Sequence, residues 1–451
     1  MRNLLIILVC WLFSFVAQAA DGKTSFKWNF DLRSQYLDQA NADLNTRNDK
    51  TSDTLALSSK LRMSYRPIRD LFGFFEGDAV KNLGEKVATE DENGLSRPAD
   101  DYLELRQAWL RFSRVFEMPL QFQIGRQRIR EDYALWWNRD LDAMRVIYTG
   151  KGFKGFIGVG HNLASYRSSE DMRENEKDQT HLMGEVSFNL SPASKLELRG
   201  LYEDDRSGHA NIGTDIDRRN MDIEDTRLGW AGLRLAGTAS PRFSGLKYRL
   251  DGIVMSGSSN DLMISSGVVS GVEQENLLGF AFDGNVEIPL GKGRAPNLLL
   301  GYAYGSPEFR QSEIYGNSSP FGYATSAIHH YGEALRPELS NLHVLTAGIS
   351  APILSNSDIT FLYHYYRQDE NTDRLRSSRL KAFTSGNSND LGHELDAVLN
   401  ISLNDEIPAL KNVSGDKKFR LSSGIFRAGE AFAEASGEYY YRLLAEFSIR
   451  Y

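Results

Sequence analysis

Eighteen segments of roughly ten residues, each alternating apolar with polar side chains, recur along this chain and limit what it can fold into. They lie near 24–37, 54–66, 69–80, 102–113, 119–126, 140–148, 153–161, 180–190, 195–204, 226–237, 246–257, 275–287, 297–305, 341–350, 357–367, 391–402, 418–427 and 438–451. Side chains alternate across a strand, so each segment has one greasy and one wet face. In the last, Tyr439, Tyr441, Leu443, Ala445, Phe447, Ile449 and Tyr451 oppose Tyr440, Arg442, Leu444, Glu446, Ser448 and Arg450. In the first, Phe26, Trp28, Phe30 and Leu32 oppose Lys27, Asn29, Asp31 and Arg33. The connections alternate long and short. Long ones lie near 38–53, 81–101, 127–139, 162–179, 205–225, 258–274, 306–340, 368–390 and 428–437, and short ones include Pro67-Ile68, Arg114 to Met118 and Ser191 to Ser194. A soluble sandwich gives no reason for that parity, whereas a barrel threaded through a membrane does. The expected fold is all-β: a transmembrane antiparallel barrel of about 18 strands, with periplasmic termini, short periplasmic turns and long outer loops. One short-side connection, 403–417, is long and polar, and reads either as a misplaced loop or as a flap under the barrel mouth.

The amino-terminus carries a secretory pattern: Arg2, an apolar run from Leu4 to Val16, and Ala17-Gln18-Ala19 as a cleavage site. Residues 1–20 are therefore read as a signal peptide and 21–451 as a single barrel domain. Cys10, the sole cysteine, falls inside the leader, so no disulfide holds the mature fold. No later stretch approaches the length of a helical span. The 20 Tyr, 24 Phe and 39 Gly against 12 Pro suit a large antiparallel β protein. The formal charge of −8 says little about a pore, where the direction of each charge matters more than the sum.

A barrel of roughly 16–18 strands leaves an aqueous channel, so function should lie in the inward side chains. Basic residues phased inward are Arg33, Lys60, Arg62, Arg106, Arg249, Arg420, Arg442 and Arg450, while Arg126 and Arg128 close the fifth strand in the run IGRQRIRED. Guanidinium forks match carboxylates, so a ring of them favours anions. The bland alternative is a merely polar wall, with arginines paired to Glu104, Glu446 and similar acids. Tyr439, Tyr441 and Tyr451 phase outward, as interface-belt residues do. Neither G-x-S-x-G nor H-E-x-x-H occurs, and His329-His330 and His209 lie in long polar connections. No enzyme activity, metal, cofactor or nucleic acid is expected. Gly150 to Gly160 flanks a hairpin and lacks the helix a phosphate loop needs.

The block 103–146 carries Glu104-Leu105-Arg106 with Trp109, then Gly125 to Arg128, then Trp136-Trp137-Asn138, then Asp140 to Arg145. It resembles the alginate export family of outer-membrane barrels, as do LGHELDAVLN (391–400) and GIFRAGE (424–430) near the end. The resemblance implies an 18-stranded monomeric barrel that passes a polyanionic uronate polysaccharide passively through an arginine-lined constriction. It implies roles there for Arg106 and Arg126 by motif, for Arg33 and Arg62 by strand position, and for Arg420 on the penultimate strand. With Glu104, Arg128, Arg249 and Arg442 these complete the candidate pore residues. It also implies lids at 81–101 and 403–417, outer-membrane lipid around the wall, and partners among periplasmic polysaccharide-secretion proteins. Rival readings are a general porin for anions or small solutes, an outer-membrane lipase or protease, and a structural barrel with a filled lumen.

Overall fold

The computed structural model describes residues 24–451 except 46–50, 85–88, 91–95, 98–99, 170–177, 207–211, 214–223, 240–244, 266–267, 374 and 412. The expected leader lies outside the described residues. All eighteen expected segments are strands. We number them β1 (Ser25–Ala40), β2 (Thr51–Ile68), β3 (Leu71–Gly84), β4 (Tyr102–Ser113), β5 (Leu120–Arg130), β6 (Asn138–Thr149), β7 (Phe153–His161), β8 (Gln179–Ser191) and β9 (Ser194–Asp205). The second half is β10 (Glu224–Thr238), β11 (Lys247–Ser265), β12 (Val268–Pro289), β13 (Asn297–Gly305), β14 (Leu342–Leu354), β15 (Ser357–Gln368), β16 (Asp390–Ser402), β17 (Asp416–Ala428) and β18 (Tyr439–Arg450). Each pairs antiparallel with the next, and β18 returns to β1 with Asp31 opposite Arg450 and Ala40 opposite Tyr441. Closure of β18 on β1 leaves no end strand in the sheet, as a wall in lipid requires.

Alternation decides which side of each strand meets lipid. Trp28, Leu61, Leu110, Ile157, Val254, Leu278 and Tyr439 are exposed on the outer surface. The residues between them are buried or half-buried on the inner side. Two connections differ from expectation in their secondary structure. β11 and β12 run on to Ser265 and from Val268, so 258–274 is the tip of a long hairpin, not an outer loop. Its Ser- and Gly-rich sequence weakens the alternation by which a strand is recognised. The connection 403–415 is a compact turn holding two one-turn helices, Leu403–Glu406 and Pro408–Lys411. The Asn404 amide donates to the Gly415 carbonyl at 2.9 Å, and the Lys417 ammonium donates to the carbonyls of Val413, Ser414 and Gly415.

The lumen is far from empty. The connection 306–341, between β13 and β14, folds inward and is buried without a break from Ala327 to Leu342. Its Tyr331, Ala334, Leu335 and Leu339 join Trp136 and Trp137, from the connection 131–137, in one apolar cluster. That cluster also takes inward residues of the wall, among them Leu141, Met183, Met255 and Phe426. Gly332 is held at φ +95°, where a Cβ would lie 2.3 Å from the Tyr366 hydroxyl, so only glycine fits this crossing.

Candidate functional site: the charged lumen wall and its seam

Beside the strands that close the barrel, Arg33 pairs with Glu446 at 3.3 Å. Arg62 is bonded to Asp31 and, through Nε, to Glu76 Oε2 at 2.6 Å. Lys60 lies 3.5 Å from Glu76 and 3.6 Å from Asp78. Arg450 donates two hydrogen bonds to Asp31. Arg33, Lys418, Arg420 and Arg450 line a polar cavity of about 480 Å³ near the short-turn rim, with Asp416, Glu446, Asn356 and Asn400. Arg420 donates to the Ala327 carbonyl at 2.8 Å and lies 3.7 Å from Glu333, so it also holds the infolded connection. Arg442 faces inward on β18 and is almost wholly buried.

The motif residues of β4–β6 are arranged differently. A register shift opposite Glu76 and Gly77 skips Arg106, so Gln107, Trp109 and Arg111 take the inward phase. β4 and β5 pair only from Ala108 opposite Arg126 to Ser113 opposite Gln121. Above that point they part, leaving a seam in the wall. The segment 166–168 fills it, with Leu105 N–H donating to Tyr166 O and Ser168 N–H to Leu103 O. Arg126 and Asp142 stand opposite one another, as do Arg128 and Asp140. They alternate with Ile129, Leu141 and Ala143, which pack into the lumen cluster. Arg126, Arg128, Asp140 and Asp142 therefore lie on the face away from that cluster. Arg106 reaches Asp140 at 2.8 Å and Glu104 at 3.3 Å. Arg128 donates to both Asp140 oxygens, and Arg167 reaches Glu104 at 3.0 Å. The Arg126 guanidinium stacks 3.8 Å from the Tyr166 ring centroid. Gly125, at φ +119°, lets the strands approach where they part: a Cβ there would meet Ala108 O at 2.4 Å.

Arg249 belongs to a third group. It bonds Asp251 and reaches Asp283 at 2.5 Å, with its guanidinium over the Tyr133 ring. Arg234 bridges Glu131 and Asp251 from the neighbouring strand, and Arg199 joins Glu185 and Glu197. Tyr133 stacks flat on His330 at 3.7 Å between centroids, and the Tyr331 hydroxyl donates to Asp283 at 2.6 Å. The infolded connections are thus tied to the wall by ion pairs as well as by apolar packing. Farther round, Glu394 accepts the backbone N–H groups of Ala334 and Leu335. The Glu333 N–H donates to Asp396.

The family model described as alginate export matches residues 25–446. The chain belongs to that family. It is 26% identical to the alginate production protein AlgE of Pseudomonas aeruginosa over 85% of this chain and 83% of that one. It is 24% identical to AlgE of Azotobacter vinelandii, over 81% and 80%. Among solved structures, OccK9 (OpdG) of Pseudomonas aeruginosa superposes with a TM-score of 0.60 at 12% identity, covering 95% of this chain and 99% of that one. OccAB1 of Acinetobacter baumannii gives 0.57 at 10% identity, covering 94% and 96%. An eighteen-strand barrel of the alginate export family resides in the bacterial outer membrane, and family and fold are those of a channel.

Within this family barrel the candidate residues fall into separate places. Arg33, Arg62, Arg249, Arg420 and Arg442 face the lumen. Arg126 and Arg128 hold the seam, and Glu104 and Arg106 join it from β4. Sequence reading did not single out Glu131, Arg199 or Arg234, although Glu131 lies within the run IGRQRIRED and Arg234 on a strand of ambiguous phase. It also takes 306–340 for an outer loop. Tyr331, Ala334, Leu335 and Leu339 were the available signal, since an outer loop has little use for so many apolar side chains.

Proposed function

We propose that this barrel passes an anionic polysaccharide or oligosaccharide of the alginate type across the outer membrane, by passive diffusion along an arginine-lined lumen. The short-turn rim and both termini face the periplasm. The observation that carries the reading is the polar cavity near that rim, whose lining sets Arg33, Lys418, Arg420 and Arg450 against Asp416 and Glu446, with Asp31 and Glu333 reaching Arg450 and Arg420 from beside it. A polymer with a carboxylate on each sugar is drawn to such an entrance by Coulomb attraction. Several moderate sites in series then hold it without trapping it. Family membership and the name of the AlgE relatives support alginate as the class of polymer. The seam arginines serve the wall rather than the polymer in this reading.

The test is planar-bilayer conductance. The wild-type channel should prefer anions and be blocked by added alginate, and R33Q with K418Q should shift the reversal potential toward cations. A cation-selective wild type that alginate leaves unblocked would overturn the proposal and favour a general porin.

A further inference from the structure

One group of arginines differs from all those above. Among the described residues, Arg66, Arg111 and Arg145 have no carboxylate partner. They lie close to the short-turn rim on β2, β4 and β6. Phe72 stands opposite Arg111, Arg111 opposite Gln123, and Gln123 opposite Arg145, so one row of inward positions crosses four strands. The lipid side of that row is fixed by Leu110, Phe112, Met144 and Val146, which are exposed and alternate with it.

The same patch carries aromatic rings. Trp109 stacks on Phe74 at 5.3 Å between centroids, with planes 27° apart, and lies 5.5 Å from Phe72. All three rings are only half-buried on the lumen wall. The Arg111 guanidinium sits over both Phe72 and Trp109, at 5.1 and 5.6 Å from their centroids. Arg66 covers Phe72 at 5.6 Å. Arg145 lies over Phe156 at 5.5 Å and is steadied by one hydrogen bond, from its Nε to Gln127 Oε1 at 2.7 Å. Arg111 Nε is buried with no hydrogen-bond partner.

Three guanidinium groups without counter-charges repel one another, and among the described residues no carboxylate compensates them. An aromatic bed alone recovers only part of that cost. What completes the patch chemically is an anionic ligand with an apolar face. The face of a pyranose ring packs on aromatic rings, and its carboxylate accepts a fork of N–H donors. We infer that Phe72, Phe74, Trp109, Arg66, Arg111 and Arg145 form a uronate-binding track, at which the polymer first docks after entry. This inference rests on the proposed function and adds to it a place and a chemistry: rings hold the sugar, and unpaired arginines hold the carboxylate.

The test is block of single-channel current by a mannuronate hexasaccharide, with maltohexaose as the neutral control. Charged block should weaken at least tenfold in R111Q/R145Q, and maltohexaose should be unaffected. R111K/R145K, which keeps both charges, should retain most of the block and shows that the barrel assembles. W109A should weaken block by both sugars while leaving ion selectivity unchanged. If the wild type is blocked and R111Q/R145Q is blocked equally well, the track is overturned and the parent function stands. If the hexasaccharide never blocks the wild type, the parent function falls and the track with it.

Discussion

At the scale of single residues, phase within a strand placed Arg33, Arg62, Arg249, Arg420 and Arg442 on the inner side, and there they are. Phase could not foresee the skip at Arg106, because the register shift depends on pairing with β3, and no local pattern marks it. It likewise could not tell an arginine with a carboxylate partner from one without. Glu446 lies more than 400 positions from Arg33, and only closure of the barrel joins them. The seam geometry leads to a direct expectation. R106Q leaves Asp140 and Glu104 without part of their compensation in a buried setting, which costs about 3 kcal/mol. Unfolding of the lipid-embedded barrel by urea should show that loss, with the reversal potential unchanged; a shift in selectivity of the size expected for R33Q with K418Q would return Arg106 to the pore. A second expectation concerns Glu313 in the infolded connection. Desolvation inside the barrel and the neighbouring Glu203 push its carboxyl up to about 7, although the side chain opens onto the lumen, with Glu338 and Asp205 adding to the effect and Arg139 opposing it. A carboxyl raised above its ordinary value of 4.5 favours the folded state below that value and loses the benefit as pH rises through 7. Titrating from pH 5 to 8 should therefore loosen the seating of 306–341 and add negative charge to the lumen. Anion preference should fall over that range in the wild type and stay flatter in E313Q.

At the scale of elements, the strands were legible because lipid outside and water or polar side chains inside force a period of two. The closing strand Tyr439–Arg450 carries Tyr440, Arg442 and Leu444 inside, as its alternation demands. What escaped was a long connection that obeys no period. The 306–341 segment has a ribbon of two residues a side, Ser318–Ser319 against Ile328–His329, and irregular backbone for the rest. Such backbone can be buried only where wall groups satisfy it. Glu394 does so for Ala334 and Leu335, and the Trp230 indole donates to Arg310 O at 2.7 Å. The wall and its filling are thus separable in principle. The ladder closes without this segment, whereas the segment depends on the ladder. Replacing 312–338 by a short Gly/Ser link should leave a folded barrel of severalfold higher single-channel conductance, since about eighteen strands enclose an open channel when nothing fills them. An unchanged conductance in that variant would mean that the segment does not narrow the path.

At the scale of the whole molecule, charge is distributed unevenly from rim to rim. Near the short turns stand Arg33, Lys418, Arg420 and Arg450 around one cavity, and Arg66, Arg111 and Arg145 along the neighbouring wall. Toward the long connections, Glu203 and Asp205 end β9, and Glu313 and Glu338 approach them from the infolded segment, with Arg139, Arg310 and Arg376 among them. A passive pore cannot use this asymmetry to drive net flow, because it moves both directions by the same factor at equilibrium. It can change how often a polyanion enters from each side, since a field that concentrates a ligand at a mouth raises the association rate there. Alginate oligomers added to the side of the short turns should therefore block with a severalfold higher on-rate than oligomers added to the other side. The difference should shrink as KCl rises from 0.1 to 1 M, because the screening length falls from about 10 Å to about 3 Å. Neutral maltohexaose should show neither the asymmetry nor the salt dependence. Equal on-rates from both sides at low salt would mean that the cations near the short turns, those of the track included, do not set how fast the polymer is captured.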